Sequence, residues 1–191
     1  EWLSEAPFLI AAYGLGLQGW DGSFSFASDI PSWSATLQKT HGNIYNINTP
    51  AHLAQYPALA RMIYRGDVER GALTSLTPVD LESLQEGHAL PPATHPELLA
   101  VGRVTVEFGD APVNEEPLSL AQVSRLWDKE EHLIVSSTGQ LRWHYSDEPY
   151  VTLDTPGTQG MVGSAPAGEI RCADIAIRDV DTPFVNILVT S

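Results

Sequence analysis

The stretch GLGLQGWDGSFSFASD, residues 14–29, brings glycines, aromatic side chains and carboxylates together within sixteen residues. Large or apolar positions alternate there with small polar ones: Trp20, Gly22, Phe24 and Phe26 against Asp21, Ser23 and Ser25. A period of two is typical of a β-strand, so the pattern predicts a strand over residues 20–26 with one aromatic face. The open question is whether that face fills a core or borders a binding site.

The segment before this strand, SEAPFLIAAYGLGL, predicts a buried helix. Ser4 is a suitable N-cap, and the residues after Pro7 are almost all apolar, as expected for a helix that is covered on most sides. We expect Gly14 and Gly16 to end this helix, because glycine readily adopts the left-handed conformation found at helix C-termini. The aromatic residues predicted to pack in the core are Phe8, Tyr13 and Phe24.

After the strand, the sequence predicts a second helix. Thr49 and Pro50 form a favourable N-cap and first-turn pair for a short helical turn. Pro57 does not fit inside a helix, so a new helix is expected to start there, over PALARMIYRG, and to end at Gly66. The order from residue 4 onward is therefore helix, strand and helix.

The second half of the chain has mainly β patterns. Thr77 and Pro78 are expected to start a short helix, TPVDLESLQEG, that ends at Gly87, and GRVTVEFGD is expected to be a strand. HLIVSSTGQLRWHYS predicts a hairpin that turns at Gly139. PYVTLDTPG, GEIRCADIAIRDV and TPFVNILVTS predict further strands, whereas GTQGMVGSAPAG predicts a mobile or tightly turned loop. This succession favours an antiparallel β-sandwich.

The predicted fold class is therefore α/β followed by all-β. We predict a helix–strand–helix unit over residues 1–75, a linker with short helices over residues 76–101 and a β-sandwich-like domain over residues 102–191. The chain has 191 residues, which is enough for one large domain or two small ones.

The charge and the titratable residues exclude several function classes. The net charge is −14, with ten Lys and Arg against 24 Asp and Glu, so nucleic acid is not expected as a partner. No apolar run reaches 18 residues, so no membrane span is expected. The six histidines lack metal-ligand spacing, and Cys172 is the single cysteine, so neither a metal nor a cofactor is predicted.

Two short motifs carry little weight, and a third is absent. Arg65, Gly66 and Asp67 match an adhesion tripeptide, but three-residue matches arise easily by chance. GLGLQG follows a helix and precedes a strand, whereas dinucleotide binding needs the reverse order. No serine lies in a GxSxG context, so an esterase nucleophile is not predicted.

A carbohydrate site would explain the mixture of residues around the predicted strand. Sugar rings offer flat C–H faces to aromatic side chains, and carboxylates and amides bind their hydroxyls. The candidate sugar-binding residues are Trp20, Asp21, Phe26, Asp29 and Trp33. Core packing is the alternative for such aromatic residues. Asp29 and Trp33 lie past the predicted strand end, which is where α/β barrels place function.

Two segments also resemble a known family. EAPFLIAAYGLGLQGWDGSFSFASD and NIYNINTPAHLAQYPALARMIYRGDV resemble the last helix, strand and helix of the (β/α)8 barrel in bacterial glycoside hydrolases of the large retaining clan, which holds β-galactosidases and agarase-like enzymes. LIVSSTGQLRWHYSDEPYVTLDTPGTQGMVG resembles the β-sandwich that follows the barrel in some of them. The resemblance covers residues 2–71 and 131–190.

The resemblance implies a C-terminal portion of a glycoside hydrolase. GWDGSFSF would be the eighth barrel strand and PALARMIYRG the eighth helix, with Phe26 and Asp29 beside the sugar. The two catalytic carboxylates of the clan would lie before Glu1, so no catalytic residue is assigned. The rest of the barrel would then be the partner of this chain, either as another part of the same enzyme or as a separate chain. The resemblance also implies an extracellular or periplasmic location.

The alternative is a non-catalytic carbohydrate-binding or structural module, in which the aromatic N-terminal segment packs on the β-strands. The chain begins without Met inside a helical pattern and ends on an apolar strand pattern, FVNILVTS. We therefore expect further sequence, or a signal peptide, outside these 191 residues.

Overall fold

The computed structural model describes residues 2–25, 47–87, 95–109, 115–165 and 167–191. In this part of the chain, the helices are α1 (Trp2–Leu9), a π-helix (Ile10–Leu17), α2 (Pro50–Leu53), α3 (Tyr56–Arg65), α4 (Leu81–Gln85), α5 (Leu98–Val101) and α6 (Leu120–Leu126). The strands are β1 (Leu73–Val79), β2 (Arg103–Phe108), β3 (Trp127–Asp128), β4 (Leu133–Val135), β5 (Leu141–His144), β6 (Tyr150–Asp154), β7 (Thr158–Ser164), β8 (Ile170–Arg171), β9 (Ala176–Ile177) and β10 (Phe184–Thr190).

The first helix is longer than its glycines predict. It begins at Trp2 rather than after Ser4, and it continues as a π-helix through Gly14 and Gly16 to Leu17. The predicted cap and the predicted end are therefore wrong. Both glycines instead allow close packing, because a Cβ on Gly14 would lie 2.5 Å from the Trp20 ring and one on Gly16 would lie 2.6 Å from Val68.

The predicted strand over residues 20–26 is not observed. Residues 20–25 are irregular, and Phe26 lies outside the described residues. Phe24, predicted to be a core residue, is 94% exposed. An alternating pattern gives a segment two faces, but a strand also needs a hydrogen-bonded neighbour. The structure thus has mixed helices and sheets, and its described residues do not include the predicted barrel strand.

The second helical region follows the prediction closely. The Thr49 hydroxyl accepts a hydrogen bond from the His52 backbone N–H at 3.3 Å, which confirms Thr49 as the N-cap of α2. α3 starts one residue before Pro57 and ends where Gly66 adopts a left-handed conformation, with φ of 65°. Gly66 is therefore confirmed as the helix-ending residue.

Six antiparallel strands form the main sheet, in the order β10-β7-β6-β5-β4-β3. The hairpin of β4 and β5 turns at Gly139, with φ of 75°, as predicted. β7, predicted as a mobile or tightly turned loop, is instead an inner strand, and all of its residues except Ser164 are buried. Its glycines misled the prediction: Gly160 is needed there because the β10 backbone passes too close for a side chain.

β1 and β2 form a separate two-stranded parallel sheet. The strand predicted over GRVTVEFGD is confirmed as β2, but it pairs with β1 and not with the antiparallel strands. Thr77 and Pro78, predicted to start a helix, lie in β1 instead, and α4 begins only at Leu81.

The main sheet has a different cover on each face. Helices α1 and α3 and the π-helix pack on one face, where Phe8 and Met62 share a buried cluster with Leu141 and Leu153. The hairpin of β8 and β9 packs on the other face, over Met161 and Val185. The strands are antiparallel as predicted, but helices, and not the second sheet of a β-sandwich, cover the larger core.

The division of the chain at residues 76–101 stays a prediction. It is tested by asking whether the helices and the sheet unfold together.

Arg65 and Asp67 join α3 to the sheet. Arg65 Nη2 lies 2.6 Å from Asp67 Oδ2, and the Thr158 hydroxyl donates to the same oxygen at 2.6 Å. Arg65 also donates to the carbonyls of Gly157 and Ser191. The Asp67 side chain is only 8% exposed, so these contacts give the tripeptide a structural role.

No helix among the described residues has both the length and the apolar character required to cross a membrane.

Candidate functional site

A cavity of about 490 Å³ lies between the first helix, α5 and the main sheet, and we call it the aromatic cavity. Its volume is in the range of small-molecule sites. The helices contribute Leu9, Tyr13 and Leu99, the segment after the π-helix contributes Trp20, and the sheet contributes Trp143 and Tyr150. Four large aromatic side chains therefore surround one apolar space.

Tyr13 lines this apolar wall, and its hydroxyl group is enclosed by the protein. Its hydroxyl is buried and has no hydrogen-bond partner among the described residues. Burial raises the pKa of this hydroxyl far above its ordinary value, so the group stays neutral. Tyr13 lies within the π-helix, and such helices occur frequently at functional sites. Because the hydroxyl oxygen has almost no accessible surface, a molecule in the cavity would meet the ring of Tyr13 and not its hydroxyl.

Substitution of Tyr13 by phenylalanine is expected to raise the free energy of unfolding by about 1 kcal/mol, because it removes a buried group that has lost its water without gaining a partner. Urea unfolding of the free protein measures the change. Tyr56→Phe is the matched control, since the Tyr56 hydroxyl lies 3.2 Å from His52 Nε2 and 2.5 Å from Ser25 Oγ. That variant should lose about 1 kcal/mol. A loss of similar size in Tyr13→Phe would show that its hydroxyl has a partner after all.

Trp20 is the one predicted sugar-binding residue that the structure places in the cavity wall. Its backbone N–H donates to the Gly14 carbonyl at 3.0 Å, and its ring packs over Gly14. The residue is 54% exposed, so it lies where the cavity meets solvent. Asp21 follows it and is also exposed, but it does not line the cavity. Phe26, Asp29 and Trp33 lie outside the described residues.

Gln18 also lies in the wall of the cavity, and sequence patterns did not reveal its role. Its amide nitrogen donates to the carbonyls of Leu99, at 2.7 Å, and Gly102, at 2.6 Å. Its carbonyl oxygen accepts from the Val104 N–H at 3.0 Å. The partners are more than 80 residues away along the chain, so no local pattern could identify them. Gln18 thereby ties the π-helix to α5 and β2.

Glu5 is the one carboxylate among the described residues that line the cavity. It lies in the first turn of α1, where a negative charge favours the helix. The side chain is half-buried, and it forms no hydrogen bond or ion pair with the described residues. It is therefore able to accept hydrogen bonds from a bound molecule.

The other titratable groups do not form a reactive centre. The His52 ring is held between the Leu3 carbonyl, at 3.0 Å, and the Tyr56 hydroxyl, and burial lowers its pKa. Burial, together with the charge of Asp154, raises the pKa of the Cys172 thiol and disfavours the reactive thiolate. The described residues include no group of three or more potential metal ligands.

The aromatic cavity thus combines one predicted residue, Trp20, with Tyr13, which was predicted as core, and Gln18, which was not predicted. Comparisons with protein-family models, curated proteins and solved structures find no match to this chain. Function is therefore inferred from the residues of the cavity and from the resemblance in the sequence.

Proposed function

We propose that this chain is the C-terminal, carbohydrate-binding portion of a glycoside hydrolase. The observation that supports the proposal best is the wall of the aromatic cavity, where Tyr13, Trp20, Trp143 and Tyr150 surround a space of about 490 Å³. Aromatic faces attract the polarised C–H groups of a sugar ring, and Glu5 offers hydrogen-bond acceptors for hydroxyls. The aromatic cavity would hold part of the substrate.

The catalytic step would use carboxylates from elsewhere in the enzyme. Retaining glycosidases need two carboxyl groups about 5 to 5.5 Å apart. Among the described residues, Glu5 is the one carboxylate in the cavity wall. The chain would therefore contribute to substrate binding, and the rest of the barrel would supply the nucleophile and the acid/base residue.

Substitution of Trp20 by alanine is expected to weaken oligosaccharide binding about tenfold, or about 1.4 kcal/mol, because the ring at the cavity opening no longer contacts the sugar. Isothermal titration with galactan, agarose and glucan oligosaccharides measures the affinity. Phe24→Ala is the control, since Phe24 lies in the same segment but is 94% exposed and outside the cavity wall. Equal affinities of the Trp20→Ala and Phe24→Ala variants would contradict a role for the cavity.

A non-catalytic carbohydrate-binding module is the second candidate. It is favoured by the cluster that Phe8 and Met62 share with Leu141 and Leu153, since this cluster gives helices and sheet a common core. Native mass spectrometry of the purified protein distinguishes the two candidates. A partner chain, together with hydrolysis of the bound polysaccharide, supports the glycoside hydrolase. A single chain that binds polysaccharide without hydrolysing it supports the module.

A further inference from the structure

Glu5 gives the wall of the aromatic cavity a negative charge that nothing in the wall neutralises. The described residues that line the cavity include no Lys, Arg or His. The Glu5 side chain is half-buried and is unpaired among the described residues. The protein as a whole carries a net charge of −14, which adds to the negative potential at the site. A molecule with a positive charge is therefore attracted to the cavity.

The aromatic part of the wall favours the same kind of ligand. The face of an aromatic ring carries a partial negative charge, and it attracts cations that lie within about 6 Å of the ring centre. Tyr13, Trp20 and Trp143 line the cavity. A neutral ligand gains from such rings through apolar contact, whereas an organic cation gains from both apolar contact and electrostatic attraction. The rings and the carboxylate therefore share one preference.

The carboxylate and the ring at the opening lie at different ends of the cavity. Glu5 is in the first turn of α1, whereas Gly14, over which the Trp20 ring packs, is in the π-helix. Glu5 and Gly14 are roughly 12 Å apart along the helix axis, since a helix rises by at most about 1.5 Å per residue. A ligand of this length would place a charged group beside Glu5 and carbon atoms beside Leu9 and Trp20.

We propose that the aromatic cavity binds an organic ammonium ion, with the ammonium group beside the Glu5 carboxylate and the carbon body against the aromatic rings. This inference goes beyond the proposed function, because it depends on the charge and the rings of the cavity and not on the resemblance in the sequence. An amino sugar would satisfy both proposals, since its ring offers C–H faces to Trp20 and its ammonium group pairs with Glu5. A simple aromatic amine has the same chemistry without the sugar, and the test distinguishes these two sources.

Isothermal titration of the purified chain with pairs of charged and neutral probes tests this inference. One pair is benzylammonium and benzyl alcohol, and the other is the linear trisaccharide of glucosamine and that of glucose. We expect at least one charged probe to bind about tenfold more tightly than its neutral counterpart, and added salt should reduce this preference by screening the charges. Glu5→Gln should remove the preference, because glutamine keeps the size of the side chain and removes its charge.

Asp21→Asn is the matched control for Glu5→Gln. Asp21 is exposed and does not line the cavity, so its substitution removes the same charge from the protein but none from the site. This variant should keep the preference for the charged probe. Equal losses of affinity in Glu5→Gln and Asp21→Asn would show that only the overall charge attracts the probe, and would overturn the inference. Urea unfolding confirms that both variants are folded.

The remaining outcomes separate this inference from the proposed function. Neutral probes that bind as tightly as the charged ones would overturn the ammonium site, and binding of the glucose trisaccharide among them would leave the carbohydrate function intact. A preference for benzylammonium that depends on Glu5, without binding of either trisaccharide, would support the ammonium site and overturn the proposed function. Absence of binding by every probe would overturn both.

Discussion

Replacing Gly160 by alanine is expected to lower the free energy of unfolding by about 3 kcal/mol or more. Gly160 lies in β7, between β6 and β10, where it is paired with Leu153 and Leu188. An added Cβ would lie closer than 3.0 Å to the Ile187 carbonyl oxygen, which belongs to the backbone. Backbone atoms in the centre of a sheet cannot move aside without breaking ladder hydrogen bonds, so the substitution should damage the sheet itself. Urea unfolding followed by circular dichroism measures the loss.

Gly139→Ala provides the control for this prediction. Gly139 has φ of 75°, but a Cβ there would meet nothing within 4 Å. Its substitution should cost about 1 kcal/mol, because the penalty comes from the left-handed conformation alone. If the two variants lose the same amount of stability, β10 does not pass as close to β7 as the structure indicates.

Replacing Phe8 by alanine is expected to lower the free energy of unfolding by about 4 kcal/mol. Phe8 is fully buried, and its cluster joins α1 and α3 to the strands β5 and β6. Removal of the ring should leave a void between the two layers, and both layers should lose stability together. Far-ultraviolet circular dichroism follows the helices. The fluorescence of Trp143, which packs against the same cluster, reports on the sheet when the other four tryptophans are replaced by phenylalanine in both the parent protein and the variant.

Phe24→Ala is the control here, because the 94% exposed Phe24 side chain should contribute less than about 0.5 kcal/mol. Coincident unfolding curves in Phe8→Ala would show one cooperative unit. Separate curves, with a shift confined to the helical signal, would instead support the predicted division at residues 76–101.

The sequence predicted the elements that depend on local chemistry. Thr49 and Gly66 were identified correctly because capping requires only a hydroxyl or a left-handed glycine at the right position. The β4–β5 hairpin was found for the same reason, from Gly139 between two apolar runs. β7 was missed because Gly160 is required by β10, a strand whose facing residue Leu188 lies more than 20 positions further along the chain.

The candidate site was only partly predictable. Phe8 was correctly assigned to the core, but Phe24 was not, because alternation predicts a face without showing whether anything packs on it. Trp20 was identified by residue type, whereas Tyr13 gains its significance from an unpaired hydroxyl that only the packed structure reveals. Gln18 acts through partners brought close by the fold, so its role depends on contacts between distant residues.

The pairing of residues 4 and 186 has a consequence for how the chain folds. The Asn186 side chain in β10 donates a hydrogen bond to the Ser4 carbonyl in α1, across 182 positions of sequence. During synthesis, α1 leaves the ribosome long before the strands that cover Phe8 and Ala12. The helix face that packs on the sheet then stays uncovered by these strands until the sheet is complete, and a chaperone or another protein surface shields it meanwhile. Contacts of such high sequence separation also slow folding, so we expect refolding over milliseconds to seconds.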